Sequence, residues 1–294
     1  DHALTHLKSH SSKQPTFTVI WFPSPHHPHR ETSANPNLYK GKSHAPYYQE
    51  ISLIDEQIGR LRKTLRDLKI ANNTLLWYTS DNGGLVKEYS GGRERKGSIY
   101  EGGLRVPSII EYPSKFTPSR IAAPASSTDI YPTLLALTKI EIENQPPVDG
   151  ISLLPFLTGE ESKRSKPIGF WHNFTGGQST RSDSIIKNLM EAQQNGQPNP
   201  FPERVLKNVN DFPKYTANSH QSGHAALLDW PLKIHAIYSK KKTTWELYDL
   251  SRDPMETKLL NELESKRFFR MQKQLTAWQK SVLKSHSGHD FQNR

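Results

Sequence analysis

An apolar repeat followed at once by a short β-type run restricts the fold more than any other feature. Between Tyr47 and Leu68 the apolar residues Ile51, Ile54, Ile58, Leu61, Leu65 and Leu68 recur at spacings of three and four, with Glu, Gln, Arg and Lys between them. That spacing gathers them on one face of a helix. Ala71-Asn72-Asn73 interrupts the pattern, and Thr74-Leu75-Leu76-Trp77-Tyr78-Thr79 then reads as a strand covered on both faces, as in a parallel sheet. Helix then strand is an α/β unit, and open α/β sheets keep their chemistry at the carboxyl ends of strands. Ser80-Asp81-Asn82-Gly83-Gly84 stands at that place.

The flanking segments extend this reading. Phe17 to Phe22 is a β-branched and aromatic run expected to form another buried strand, closed by Pro23. Pro25-His26-His27-Pro28-His29-Arg30 follows as a stiff loop. After the glycine- and arginine-rich stretch from Gly91 to Gly97, Glu101-Gly102-Gly103 turns the chain into a strand over Val106 to Tyr112. Asp129 to Leu137 reads as a helix with Pro132 in its first turn. Beyond about residue 165 the character changes. Residues 172 to 222 form a polar insert with a helical candidate from Asp183 to Gln194. Residues 225 to 238 and 243 to 250 then read as two strands of an antiparallel hairpin, followed by a helix from Leu259 to Leu283. Two domains are expected: α/β over residues 1–165, and a smaller α+β domain over 166–294.

Composition excludes more than it selects. The formal net charge of +10 contains no run of five like charges, so it implies a diffuse positive field that draws acidic substrates. Sulfated polymers, phosphorylated polymers and DNA all answer to such a field. Cysteine is absent, which removes disulfides, thiolate zinc sites and a cysteine nucleophile from these 294 residues. No stretch of about 18 apolar residues occurs, so no membrane-spanning helix is expected. The first residue is Asp1, which suggests a processed chain, a fragment or a trimmed one.

Three groups of residues could carry chemistry. Asp81 and Asn82 place two oxygen donors side by side, suited to a hard cation such as Ca²⁺ or Mg²⁺, although Asp-Asn-Gly-Gly is also a common turn. Lys96, between Arg95 and Gly97, can offer a point charge to an anion, while Arg93 and Arg95 can make bidentate contacts; a solvated basic loop has the same composition. His26 can act as a general acid or base, since an imidazole titrates near neutral pH.

Taken together these residues resemble a known family. Tyr47 to Arg60, continuing through Asn73-Thr74 to Thr79-Ser80-Asp81-Asn82-Gly83-Gly84, resembles the sulfatase signature region. Lys96-Gly97-Ser98-Ile99-Tyr100-Glu101-Gly102-Gly103-Leu104-Arg105-Val106-Pro107 resembles the sulfatase lysine loop, and Thr128 to Leu135 the helix after it. Val148 to Pro155, and Trp245 to Leu250 with Asp253-Pro254, match in family order.

The resemblance implies part of an alkaline-phosphatase-like sheet sandwiched by helices, then a smaller domain with an antiparallel sheet. It implies that Asp81 and Asn82 are half the ligands of one Ca²⁺, that Lys96 contacts the sulfate, and that His26 helps protonate the leaving group. In the family a Cys-x-Pro-x-Arg cysteine is oxidised to formylglycine, the nucleophile. That motif has no counterpart here, and Phe116-Thr117-Pro118-Ser119-Arg120 is a decoy. The formylglycine and the first pair of metal-binding acids are therefore expected on a preceding segment, and this chain alone is expected to be inactive.

The implied activity is sulfuric ester hydrolysis, with a sulfated carbohydrate as the expected substrate and Arg93, Arg95 and His224 as candidate substrate-binding residues. Gly223-His224-Ala225-Ala226 resembles a stretch of some bacterial carbohydrate sulfatases. No nucleic-acid partner is expected, and the resemblance implies an exported protein, periplasmic, extracellular or lysosomal. Two other readings remain: a phosphodiesterase or phosphonate hydrolase on the same scaffold, and a non-catalytic binder of sulfated glycans. Asn82 weighs against the first, because two-zinc relatives carry His after the Asp.

Overall fold

The computed structural model describes residues 1–10, 15–29, 37–172, 182–200, 215–216, 218–239 and 242–291. It divides into two compact units, one of Asp1–Tyr78 with Ser108–Ser119, the other of Thr79–Pro107 with Arg120–Arg294.

In the first unit, helices α1 (His2–His10) and α2 (Ala45–Asp67) precede a two-stranded sheet of β1 (Leu76–Thr79) and β2 (Ser108–Glu111). Pro46 opens α2, where its missing N–H costs nothing. Ile54, Leu61 and Leu65 are buried along one stripe as their spacing predicts, while Ile51 stays 40% exposed. Arg62 of α2 grips Glu111 of β2 with two hydrogen bonds of 2.7 and 3.0 Å. The Trp77 indole N–H donates to the Ser108 hydroxyl at 3.0 Å.

Two expectations fail in this unit. Residues 17 to 22 adopt no strand, and Phe17 and Trp21 are 75% and 90% exposed. β1 is half-buried rather than covered on both faces. The reason is common to both: a buried strand needs neighbours to take its backbone hydrogen bonds. Among the described strands none pairs with residues 17–22, and β1 pairs with β2 alone.

The second unit contains α3 (Glu101–Leu104), α4 (Ile130–Thr138), α5 (Leu154–Leu157), β3 (Ile168–His172), α6 (Ser182–Gln194), β4 (His224–Asp229), β5 (Leu232–Ser239), β6 (Lys242–Asp249) and α7 (Ser265–His286). The four strands pair antiparallel in the order β3-β4-β5-β6. Strand alternation sends Ala225, Leu227, Leu232, Ile234, Ala236 and Leu247 to one face, where they form a core with Met271 and Leu275 of α7. The other face presents Lys233 and His235, both fully buried.

The expected strand over residues 225 to 238 is two strands, folded back at Trp230-Pro231 with Asp229 opposite Leu232. Pro231 lacks the N–H that a continuous strand would need. The expected helix from Leu259 begins at Ser265 instead. Residues 260 and 261 serve the edge strand β6: Leu260 N–H donates to the Leu247 carbonyl at 2.9 Å, and the Asn261 amide donates to the Trp245 carbonyl at 2.8 Å.

Candidate functional site

β1 ends at Thr79 and the chain turns immediately. The Ser80 hydroxyl donates to the Asn82 carbonyl at 3.1 Å, with Asp81 exposed and Asn82 half-buried. Gly83 N–H donates to the Gly103 carbonyl at 2.9 Å, and Lys96 N–H donates to the Gly84 carbonyl at 2.9 Å. These two backbone bonds staple the Asp81-Asn82 turn to the loop that carries Lys96. Only glycine fits at the staple: a Cβ on Gly83 would lie 2.0 Å from the Gly102 carbonyl oxygen. Gly102 in turn donates to the Arg93 carbonyl at 2.8 Å, and a Cβ there would meet the Glu94 carbonyl oxygen at 2.2 Å. Arg95 and Lys96 stand exposed on the loop so held.

Asp81 and Asn82 are adjacent hard oxygen donors, which suits Ca²⁺ or Mg²⁺. Such ions take about six to eight oxygen ligands, so this pair fits only part of a shell. No group of three or more His, Cys, Asp or Glu that could hold a metal occurs among the described residues. The pair therefore fits an ion that takes further oxygens from elsewhere.

His26 belongs to the first unit and the other candidates to the second. Its Nδ1 lies 2.7 Å from the His27 carbonyl oxygen. A carbonyl only accepts, so Nδ1 carries the proton and Nε2 is the atom that can exchange one with a ligand. His29 supports the same loop, with Nε2 3.0 Å from the Pro25 carbonyl and its ring against Tyr47.

Arg93 and His224 turn to the sheet of the second unit. Arg93 Nη1 donates to the Tyr248 hydroxyl at 2.9 Å and to the Glu256 carbonyl at 3.0 Å, and its guanidinium carbon lies 3.9 Å from the centre of the Tyr100 ring. The Tyr100 and Tyr248 hydroxyls both donate to Glu246, at 2.6 and 2.9 Å. Burial and the Glu246 charge raise both phenols, Tyr248 to about 12. His224 Nε2 lies 3.0 Å from His235 Nδ1, whose Nε2 lies 2.8 Å from Glu256 Oε1. Since the carboxylate accepts, His235 donates to Glu256 and His224 donates to His235. Burial first, then the neighbouring His235, lowers His224 to about 3; burial and Lys233 lower His235 well below the usual imidazole value.

Sequence reading missed Lys233, His235, Glu246 and Glu256. The signal for Lys233 and His235 was the alternation Leu232-Lys233-Ile234-His235-Ala236, which puts a lysine and a histidine on one face of a strand whose other face is apolar.

Residues 1–140 match the family model described as Sulfatase. The chain is 29% identical over 265 residues to a sulfatase of Formosa agariphila, spanning 83% of this chain and 41% of that one. The likeness is to the sulfatase family, over 140 of these 294 residues. The chain is also 33% identical over 145 residues to the steryl-sulfatase of Rattus norvegicus, spanning 45% of this chain and 25% of the relative. It thus spans well under half the length of these relatives. Among solved structures, Ps i-CgsB in complex with k-i-k-neocarrahexaose superimposes with a TM-score of 0.68 at 21% identity, over 100% of this chain and 58% of that one. The phosphonate monoester hydrolase of Agrobacterium radiobacter superimposes with a TM-score of 0.53 at 20% identity, over 81% of this chain and 41% of that one. These likenesses, both under 25% identical, show a shared fold.

Proposed function

We propose that this chain supplies the lysine loop and half of the metal site of a sulfuric ester hydrolase acting on a sulfated carbohydrate. The observation that carries the reading is the double backbone staple, Gly83 to Gly103 and Lys96 to Gly84, which couples two oxygen donors to an exposed ammonium. A sulfate ester needs both kinds of group: a hard cation and a fixed positive charge to offset the developing charge on its oxygens.

In this reading Lys96 binds a sulfate oxygen and steadies the leaving oxygen. His26, held at Nδ1, gives a proton from Nε2 to the departing alcohol. Arg95 contacts a further anionic group of the sugar chain, whereas Arg93 and His224 act inside the protein. Asp81 and Asn82 would hold Ca²⁺, which supplies Lewis-acid charge when bound. A formylglycine contributed from outside these 294 residues would supply the nucleophile. Export from the cytoplasm is the localisation this reading implies; among the described residues no helix is long and apolar enough to cross a membrane.

The test is turnover by the intact protein of sulfated oligosaccharides beside phosphate diesters and phosphonate esters. Sulfate release is expected to dominate, and Lys96→Ala is expected to lower kcat/KM about 10²- to 10³-fold without changing the melting temperature. Chelation should abolish turnover and Ca²⁺ should restore it. Preferential turnover of phosphorus esters would move the assignment to the phosphonate hydrolases. Binding of sulfated glycans with no turnover of any ester would make the protein a binder.

A further inference from the structure

We infer that the buried cluster of Glu256, Lys233 and His235 sets the position of the Lys96 loop, which makes Glu256 and Lys233 positioning residues for the anion-binding lysine. The inference rests on the proposed role of Lys96.

The cluster is built for one partner, the start of α3. Glu256 Oε2 accepts the backbone N–H of Glu101 at 2.7 Å. Lys233 Nζ bridges Glu101 Oε1 at 2.8 Å and Glu256 Oε1 at 3.0 Å. The Glu256 carbonyl takes Arg93 Nη1 at 3.0 Å. Residues 93 and 101 are the two flanks of the Lys96 loop, and Gly102 N–H ties them to each other through the Arg93 carbonyl at 2.8 Å. One residue beyond, the Gly103 carbonyl receives Gly83 N–H from the Asp81-Asn82 turn. A continuous line of contacts within one unit therefore runs from β5 through Glu256 and Glu101 to both the lysine loop and the oxygen-donor turn.

Two features separate this cluster from ordinary core packing. Lys233, His235 and Glu256 are all completely buried, and burying an ion pair is no more stabilising than filling the same volume with apolar side chains. What ion pairs and hydrogen bonds add is direction: an apolar cluster would hold the loop near the sheet without fixing the Glu101 N–H. Glu256 also sits at a φ of 53°, a left-handed conformation that non-glycine residues adopt at a cost and that the surrounding structure must enforce. Asp253 enforces it, its carboxylate accepting Thr257 and Lys258 N–H, both at 2.7 Å, while its carbonyl accepts Glu256 N–H at 3.1 Å.

The experiment compares Lys233→Met, Glu256→Gln and the double variant carrying both, in the intact protein, by sulfate-ester turnover and by amide hydrogen exchange. Lys233→Met leaves two carboxylates facing each other and is at risk of misfolding. The double variant removes a charge of each sign, so it is expected to fold and to melt near the wild type. It should nevertheless show faster exchange across residues 93–104 with the amides of β4 and β5 still protected. Its kcat should fall about tenfold or more with KM changed less than about threefold. Glu256→Gln keeps an acceptor for the Glu101 N–H and should retain more loop protection than the double variant. A double variant with wild-type kcat and wild-type protection over 93–104 would overturn the inference, as would protection lost equally from loop and sheet. Lys96→Ala, measured in parallel, judges the role of the lysine separately: if it leaves turnover intact that role falls, while the exchange data still decide whether the cluster positions the loop.

Discussion

Lys233 and His235 share β5 with Leu232, Ile234 and Ala236, yet alternation alone gives the two sets opposite environments. The histidines are held neutral in a setting that also contains Lys233, Arg93, Glu246, Glu256, Tyr100 and Tyr248. Burial depresses both folded-state values, His224 to about 3 and His235 well below 6.5, whereas in the unfolded chain both titrate near 6.5. Between those values the unfolded chain binds more protons, so stability is full above pH 6.5 and declines as pH falls toward 3. Denaturant titrations should show a loss of about 1 kcal/mol per histidine on going from pH 6.5 to 5.5. His224→Gln should make that slope shallower, and an unchanged slope would contradict the assignment. Arg164 and Asp129 form a second buried pair, joined by two bonds of 2.7 and 2.8 Å and exposed only 4% and 0%. Arg164→Ala strands a buried carboxylate and should cost about 3–5 kcal/mol in the same titration.

At the scale of elements, periodicity was reliable wherever one face decides the structure. The spacing in Tyr47 to Leu68 predicts α2 to within two residues at its start and one at its end. The helix expected at Asp129 begins one residue later, behind a turn of Ser127–Asp129 capped by Ser126. Periodicity failed where hydrogen-bond partners decide. Phe17 to Phe22 has the composition of a strand but no described strand to pair with, and residues 260 and 261 bond to the β6 edge instead of starting the helix. Helix α7 is the main packing partner of the sheet, so Leu275→Ala, a fully buried truncation, should cost about 2–5 kcal/mol by denaturant titration. Gly169→Ala should also destabilise, because a Cβ there would lie 2.2 Å from the Trp278 ring. Its effect should be relieved by shortening Trp278 to Leu, a pairing that a double-mutant cycle measures.

For the molecule as a whole, the net charge of +10 makes a long-range prediction. Binding of a sulfated polysaccharide such as heparin should weaken steeply between about 50 and 300 mM salt, as the screening length falls below the spacing of surface charges. A salt-independent affinity would argue against ionic recognition, by the diffuse field and by the lysine loop alike. By itself the sequence determined the α/β unit, the turn that follows β1, the candidate oxygen donors and lysine, and the family resemblance, because each is a property of residues adjacent in the chain or repeated at a fixed period. Only the tertiary structure decided what Arg93 and His224 touch, that Lys233 and Glu256 meet, and that Glu101 is gripped from the sheet. The contacts that hold Arg93 and Glu101 join residues separated by 132 to 163 positions. No local pattern encodes such pairings; they exist because antiparallel alternation presents Lys233 and His235 on one face of β5 and the folded chain lays the 93–101 loop against it.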